Sequence, residues 1–248
     1  MPIGLTEVVD LLDRSVSTRG AILIGGQALN VHAVAFGLAA ISTAVSEDID
    51  FFGDASLARE AGRAWGGRTE IATIDDHTAN SAYVLIELNG ETYQIDFMSQ
   101  VLGVRAEEME RWAANVEVGN KTIRVMHPLH VVQSQTENVY GQLDRRAFGQ
   151  RSARRVALAV DVAERQARQY LDGNEIRASL KMAERTARIA IGRPGLRAWH
   201  DDSIDLLVAI PQHAKWPDKF IKTRLPQLRK RVDKARAIYA RQRERIHR

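Results

Sequence analysis

Ser46-Glu47-Asp48-Ile49-Asp50-Phe51-Phe52 is the stretch on which the reading of this chain turns. In an extended strand the side chains alternate between faces, so Asp48 and Asp50 project together and Ile49 projects the other way. Two carboxylates on one strand face repel each other and lose solvation unless positive charge sits between them. A hard divalent cation, which takes carboxylate, water and phosphate oxygens, meets that need. A solvated acidic strand end would show the same letters, so the reading depends on what accompanies them.

Upstream lies Ala21-Ile22-Leu23-Ile24-Gly25-Gly26-Gln27-Ala28-Leu29. The apolar run reads as a short buried strand, and from Gln27 to about Phe36 small and apolar residues predict a buried helix. The Gly pair lets the backbone turn tightly and leaves no side chain between it and a ligand. Helix N-terminal N–H groups would then face a space that suits a phosphate, although a plain turn has the same composition. Downstream, Tyr93-Gln94-Ile95-Asp96-Phe97-Met98 alternates so that Asp96 shares a face with Gln94 and Met98, opposite Tyr93, Ile95 and Phe97. Tyr83 to Leu88, Asn89-Gly90 and Thr92 to Met98 predict a hairpin, because Asn-Gly accepts the positive φ angles of a type I′ turn. Its register decides whether Asp96 faces Asp48 and Asp50, since a slip of one residue would turn it away.

Strand, Gly-Gly, helix, then Ser-x-Asp-x-Asp-aromatic, then a lone Asp in a later strand resembles the nucleotidyltransferase superfamily with the DNA polymerase β-like fold. Over residues 18–100 the chain looks closest to its AbiEii/MenT-like type IV toxin branch, with the signature GG-x-A-L … T/S-x-D-I-D-F. The resemblance implies an α+β fold, a mixed sheet with flanking helices followed by a C-terminal helical domain. It implies that Gly25 and Gly26 hold the phosphates of an NTP with Ser46 beside them. Asp48 and Asp50 would bind Mg²⁺ (or Mn²⁺), and Asp96 would complete the metal site and help deprotonate an acceptor hydroxyl. The implied acceptor is a tRNA 3′ end, the implied setting a toxin–antitoxin or phage-defence system with a cognate antitoxin as partner. Two positions depart from the pattern. Ala44 stands where relatives often carry Arg, and Gln133 stands where a nucleotide-facing Lys is expected. Arg145, Arg146, Arg151, Arg154 and Arg155 could supply that cation or decorate a solvated helix face. A fold that binds nucleotide without transfer, or one that modifies a small molecule such as an aminoglycoside, stays open beside the RNA reading.

The 248 residues suffice for a well-buried core in one or two domains. With 45% hydrophobic and 27% charged residues the composition is that of an ordinary soluble globular protein. The absence of cysteine excludes disulfides, thiol catalysis and Cys-ligated zinc, and fits a cytoplasmic location. Neither a signal peptide nor an apolar run of membrane-spanning length is apparent, so no membrane association is expected. The net charge of +4 conceals an asymmetry, because residues 1–126 sum to −9 and residues 213–248 to +10. Such polarity marks a separate contact surface.

The remaining chain is read in order. Helices are predicted over 7–13, over Leu57 to Trp65 with Ser56 as cap and Gly66-Gly67 as stop, and over Glu107 to Ala114. Ile71 to Ile74 reads as a strand leading into Asp75-Asp76-His77, a solvated loop because no second His stands at ligand spacing. Val116 to Val118 and Thr122 to Val125 predict a second hairpin, and His32 reads as a packed or capping histidine. His127-Pro128 separates a catalytic domain (1–126) from a helical domain (127–248), with helices over 129–143, 150–171, 174–191, 203–210 and 217–246. Pro226 should kink or start the last helix. That helix carries a less polar stripe at 225, 228, 232, 235 and 239, and its many Lys and Arg residues could track a phosphate backbone.

Overall fold

Ile22–Ile24, three consecutive apolar residues, form strand β1, and all three are buried. An unbroken apolar triplet suits a strand with neighbours on both edges, and β1 lies inside a sheet ordered β3-β4-β5-β2-β1-β7-β6. The computed structural model describes residues 20–38, 49–73, 80–88, 90–118, 121–141 and 149–246. Among these the fold is α+β, with a seven-stranded mixed sheet followed by helices. The chain divides into two compact units, 1–134 and 135–248, with the division inside the helix that follows His127. The expected helix over 7–13 lies outside the described residues, as do Asp75, Asp76 and His77.

In the first unit, β1 leads directly into α1 (Gly25–Ala35), then β2 (Ile49–Phe52), α2 (Ala55–Trp65), β3 (Arg68–Ile71), β4 (Asn80–Leu88) and β5 (Glu91–Met98). Next come α3 (Ala106–Trp112), β6 (Ala114–Val118), β7 (Lys121–Val125) and α4 (Pro128–Thr136). β1 pairs antiparallel with β2 and parallel with β7, while β2 pairs parallel with β5. Both predicted hairpins form. Leu88 pairs with Glu91, leaving a two-residue loop in which Gly90 has φ +80°, and Val118 pairs with Lys121. One sheet face is closed by Ile49, Phe51, Ile95, Phe97, Val84 and Ile86, all buried. Phe51 and Phe97 stack at 5.5 Å, and Trp65 of α2 meets them at 6.1 and 6.3 Å. Each such ring removed from water stabilises the fold by about 2–3 kcal/mol.

Several boundaries differ from those expected. α1 starts at Gly25, before Gln27: Ile24 is still extended, and Gly25 turns the chain with φ +65° as the first helical residue. α2 is capped by Asp54 and not by Ser56, since the Asp54 carboxylate accepts from the N–H groups of Ser56 and Leu57. Its C-terminus is the expected Gly66, left-handed at φ 69°. β3 ends at Ile71, where a start was expected, because its polar residues pair along β4 as an edge. α3 stops at Trp112, and Ala114 belongs to β6. His32 is the packed histidine expected. Its Nε2 lies 2.8 Å from the Met126 carbonyl, and burial lowers its pKa to about 4. At the head of α4 the Leu129 N–H donates to Nδ1 of His127, and Pro128 occupies a first-turn position that needs no N–H partner.

In the second unit, a π-helical turn (Glu137–Gly141) precedes α5 (Gly149–Asp172), α6 (Ile176–Ile191) and α7 (Arg193–Asp202). α7 was not expected, because Pro194-Gly195 reads as a break. Pro is harmless in a first turn, and Gly195 is there for close approach: a Cβ would come 2.2 Å from the Ile189 carbonyl oxygen. The helix expected over 203–210 is only a 3₁₀ turn, Leu206–Ala209, capped by Asp205. The last helix, α8 (Leu225–Ile246), is preceded by a π-helical turn, Phe220–Arg224. Pro226 cannot donate to the carbonyl four residues back and its ring crowds that carbonyl, so the wider turn accommodates it.

Candidate functional site

The pairing of β2 with β5 sets the site. Ile49 pairs with Ile95, Asp50 with Asp96 and Phe51 with Phe97, so the flanking residues go into the core and the two carboxylates emerge side by side on the opposite face. Both aspartates are half-buried. Neighbouring strands are about 4.8 Å apart. Ile24, the residue before the glycine pair, is the register partner of Asp50 on β1. Gly25 therefore stands against Asp50, and a Cβ on Gly25 would lie 2.2 Å from Asp50 Oδ2. The carboxylate occupies the space a side chain would need. Gly25, Asp50 and Asp96, proposed from separate stretches of sequence, are thus brought together.

The row continues beyond Asp96. Tyr83 of β4 is its register partner, and Glu70 of β3 is the partner of Tyr83. Ile24, Asp50, Asp96, Tyr83 and Glu70 therefore form one transverse line over five strands. The Tyr83 hydroxyl donates to Glu70 Oε2, and Arg68 Nη2 lies 2.7 Å from Glu70 Oε1. Along β5, Gln94 Nε2 donates to Asp96 Oδ1 at 2.8 Å, which orients that carboxylate. Sequence reasoning placed Gln94 on the face of Asp96 without giving it a task, and it missed Tyr83. The signal was present: closing the hairpin on Asn89-Gly90 fixes Tyr83 opposite Asp96 by counting back along both strands.

The other expected residues are placed differently. Asp48, Ser46 and Ala44 lie outside the described residues, as do Arg145 and Arg146, together with the side chain of Arg151. Gly26 is the second residue of α1 and is buried. Gln133 on α4 donates from Nε2 to the Gly103 carbonyl, in the loop after β5, which gives it a structural partner. Arg154 is exposed and Arg155 half-buried, both on α5 of the second unit. Among the described residues no three His, Cys, Asp or Glu side chains gather to hold a metal ion. The described donor set is the Asp50–Asp96 pair. Two paired carboxylates beside a Cβ-free backbone suit a hard cation in chemical character, and such an ion commonly completes its shell with water and phosphate oxygens.

Neither a search of protein-family models nor a search of curated proteins finds a match to this chain.

The basic tail divides into residues that are engaged and residues that face outward. Arg224 is bonded to Glu184, and Lys222 lies 2.7 Å from Asp218. Arg236 is buried, bonded to Asp205 and stacked at 5.0 Å over the Trp199 ring. The stripe expected to be less polar is inward: Leu228 and Val232 are buried, Leu225, Ala235 and Tyr239 half-buried. Lys230, Lys234 and Arg241 are exposed and lie about opposite that stripe at 100° per residue. No helix among the described residues is long and apolar enough to cross a membrane.

Proposed function

We propose that this protein is a metal-dependent nucleotidyltransferase that moves NMP from an NTP to an acceptor hydroxyl, here an RNA 3′ end such as that of tRNA, as the toxin-like member of a toxin–antitoxin or phage-defence pair. The observation that carries the reading is the direct pairing of Asp50 with Asp96 beside Gly25. Like charges directly opposite on adjacent strands destabilise a sheet, and a cation bound between them would offset that repulsion. Asp50 and Asp96, with Asp48 as the third carboxylate of the sequence motif, would hold Mg²⁺ or Mn²⁺. When bound, the ion supplies Lewis-acid stabilisation of phosphoryl oxygens and lowers the pKa of a bound hydroxyl.

The chain's own residues position the reactants. Gly25 lets the Asp50 carboxylate lie against the backbone at the start of α1, where the helix N-terminal N–H groups would meet the phosphates. Asp96, oriented by Gln94, accepts the proton of the attacking hydroxyl. The new bond joins that oxygen to the α-phosphorus, the bond to the bridging oxygen breaks, and pyrophosphate leaves with the electron pair. Positioning and charge stabilisation do most of the work in such a transfer. The outward cations of α8 support an RNA acceptor.

The test is NMP transfer from each of the four labelled NTPs to total RNA, with Asp50→Asn and Asp96→Asn beside the parent. Label in the RNA with the parent and its loss in both variants is the expected result; equal labelling by all three proteins removes the metal site. A second reading, nucleotide binding without transfer, is favoured by Gln133, which supplies no charge and is engaged with Gly103. It predicts NTP binding by calorimetry with no release of pyrophosphate.

A further inference from the structure

The transverse row has a direction, and that direction assigns its outer half. Gly25, where phosphates would sit, lies against Asp50 at one end. Asp96 follows, then Tyr83, then Glu70. In a phosphoryl transfer the attacking and leaving oxygens are roughly in line. If pyrophosphate leaves on the Gly25 side, the acceptor approaches from the other side, over Asp96 and the strand beyond it. That strand places Tyr83 next in line.

We propose that Tyr83, held by Glu70, is the acceptor platform: its ring stacks against the terminal nucleoside of an RNA whose hydroxyl is presented to Asp96. The inference rests on the nucleotidyltransferase reading and names where its acceptor binds. Three features support it. Tyr83 is half-buried on the sheet face it shares with Asp96, while its neighbours Ala82 and Val84 are buried on the other. Its hydroxyl is tied to Glu70, so the ring has a fixed tilt before any ligand arrives, and a rigid aromatic loses little entropy on binding. Arg68 lies against the Glu70 carboxylate, so the strand beyond the ring does not present bare negative charge to a phosphodiester. Stacking on an aromatic ring tolerates any base, which suits an acceptor recognised by its end.

Two variants separate the ring from its tether. Tyr83→Leu removes the stacking face, and Tyr83→Phe keeps the face and loses the bond to Glu70. Binding is followed by fluorescence anisotropy of a short 5′-labelled single-stranded RNA with a free 3′ hydroxyl. Mn²⁺ affinity is measured in parallel by electron paramagnetic resonance, and KM for NTP and for RNA by transfer of label. Tyr83→Leu should weaken RNA binding and raise the RNA KM about tenfold, the size of one lost base stack, with Mn²⁺ affinity and the NTP KM within about twofold of the parent. Tyr83→Phe should fall between the two. Unchanged RNA binding in Tyr83→Leu overturns the proposal, as does an equal loss of Mn²⁺ affinity. Binding of an aminoglycoside in place of RNA overturns it too. Failure of the parent to bind Mn²⁺ would sink the underlying reading instead, and the anisotropy comparison distinguishes the two failures.

Discussion

Gly25→Ala should separate the geometry of the site from the stability of the fold. Gly25 has φ +65°, where an L-residue costs about 1–2 kcal/mol. The new Cβ would also lie 2.2 Å from Asp50 Oδ2, well inside van der Waals contact. The carboxylate is the far end of a short side chain, so it can give way by leaving its rotamer at a further cost of about 0.5–1.5 kcal/mol. The total is about 2–3 kcal/mol, and the displaced oxygen is one of those that would hold the cation. Gly66 is the control. It has nearly the same φ, +69°, and nothing within 4 Å of an added Cβ, so Gly66→Ala carries the backbone cost alone. Denaturant melts should show both variants destabilised by about 1–3 kcal/mol, with Gly25→Ala the worse. Mn²⁺ titration should then show at least a tenfold loss of affinity in Gly25→Ala and none in Gly66→Ala. A Gly25→Ala protein that binds Mn²⁺ like the parent would refute the assignment of Asp50 to a metal site.

The remaining predictions test separate layers of the structure. Mg²⁺ should raise the melting temperature of the parent and not of Asp50→Asn, read by calorimetry; equal stabilisation of both proteins would argue against Asp50 as a ligand. His32 has a folded pKa of about 4 against 6.5 for the free side chain, so the unfolded state takes up its proton first as pH falls. Stability should therefore drop by about 3 kcal/mol between pH 6.5 and 4 and level off below, a slope that His32→Gln should remove from pH-dependent denaturant melts. Phe97→Ala should cost about 3–5 kcal/mol, because it opens a cavity between Phe51 and Trp65. For the basic face, replacing Lys230, Lys234 and Arg241 with Gln should flatten the dependence of log K for RNA on log salt by about 2–3; deleting the helix would be a poorer test, since Arg236 is built into its unit through Asp205 and Trp199.

What could be read from the sequence follows the strength of each local signal. Strand alternation in Tyr93 to Met98 and the Asn-Gly turn fixed the face of Asp96 correctly, because the period of two and the loop length admit few alternatives. The pairing of Asp50 with Asp96 was expected only through resemblance, since nothing local tells β2 to lie parallel to β5. Misreadings cluster where tertiary packing overrides a breaker. Pro194-Gly195 begins a helix because the glycine lets the backbone approach Ile189, a contact invisible in composition. Asp54 took the cap from Ser56 because a cap needs extended backbone just before the first turn, and that boundary shifts with the strand that precedes it. In α8 the charge count alone could not separate Arg236, committed to Asp205, from the outward Lys230 and Lys234.

Because β5 reaches β2 only after α2, β3 and β4 have been made, the two aspartates stay strangers until that whole excursion has closed. A chain still emerging from the ribosome, or one cut within the excursion, would lack the juxtaposed pair that the proposed ion needs. Folding itself would then be the safety catch on the proposed transfer, withholding it until synthesis has passed Met98 and β5 is seated.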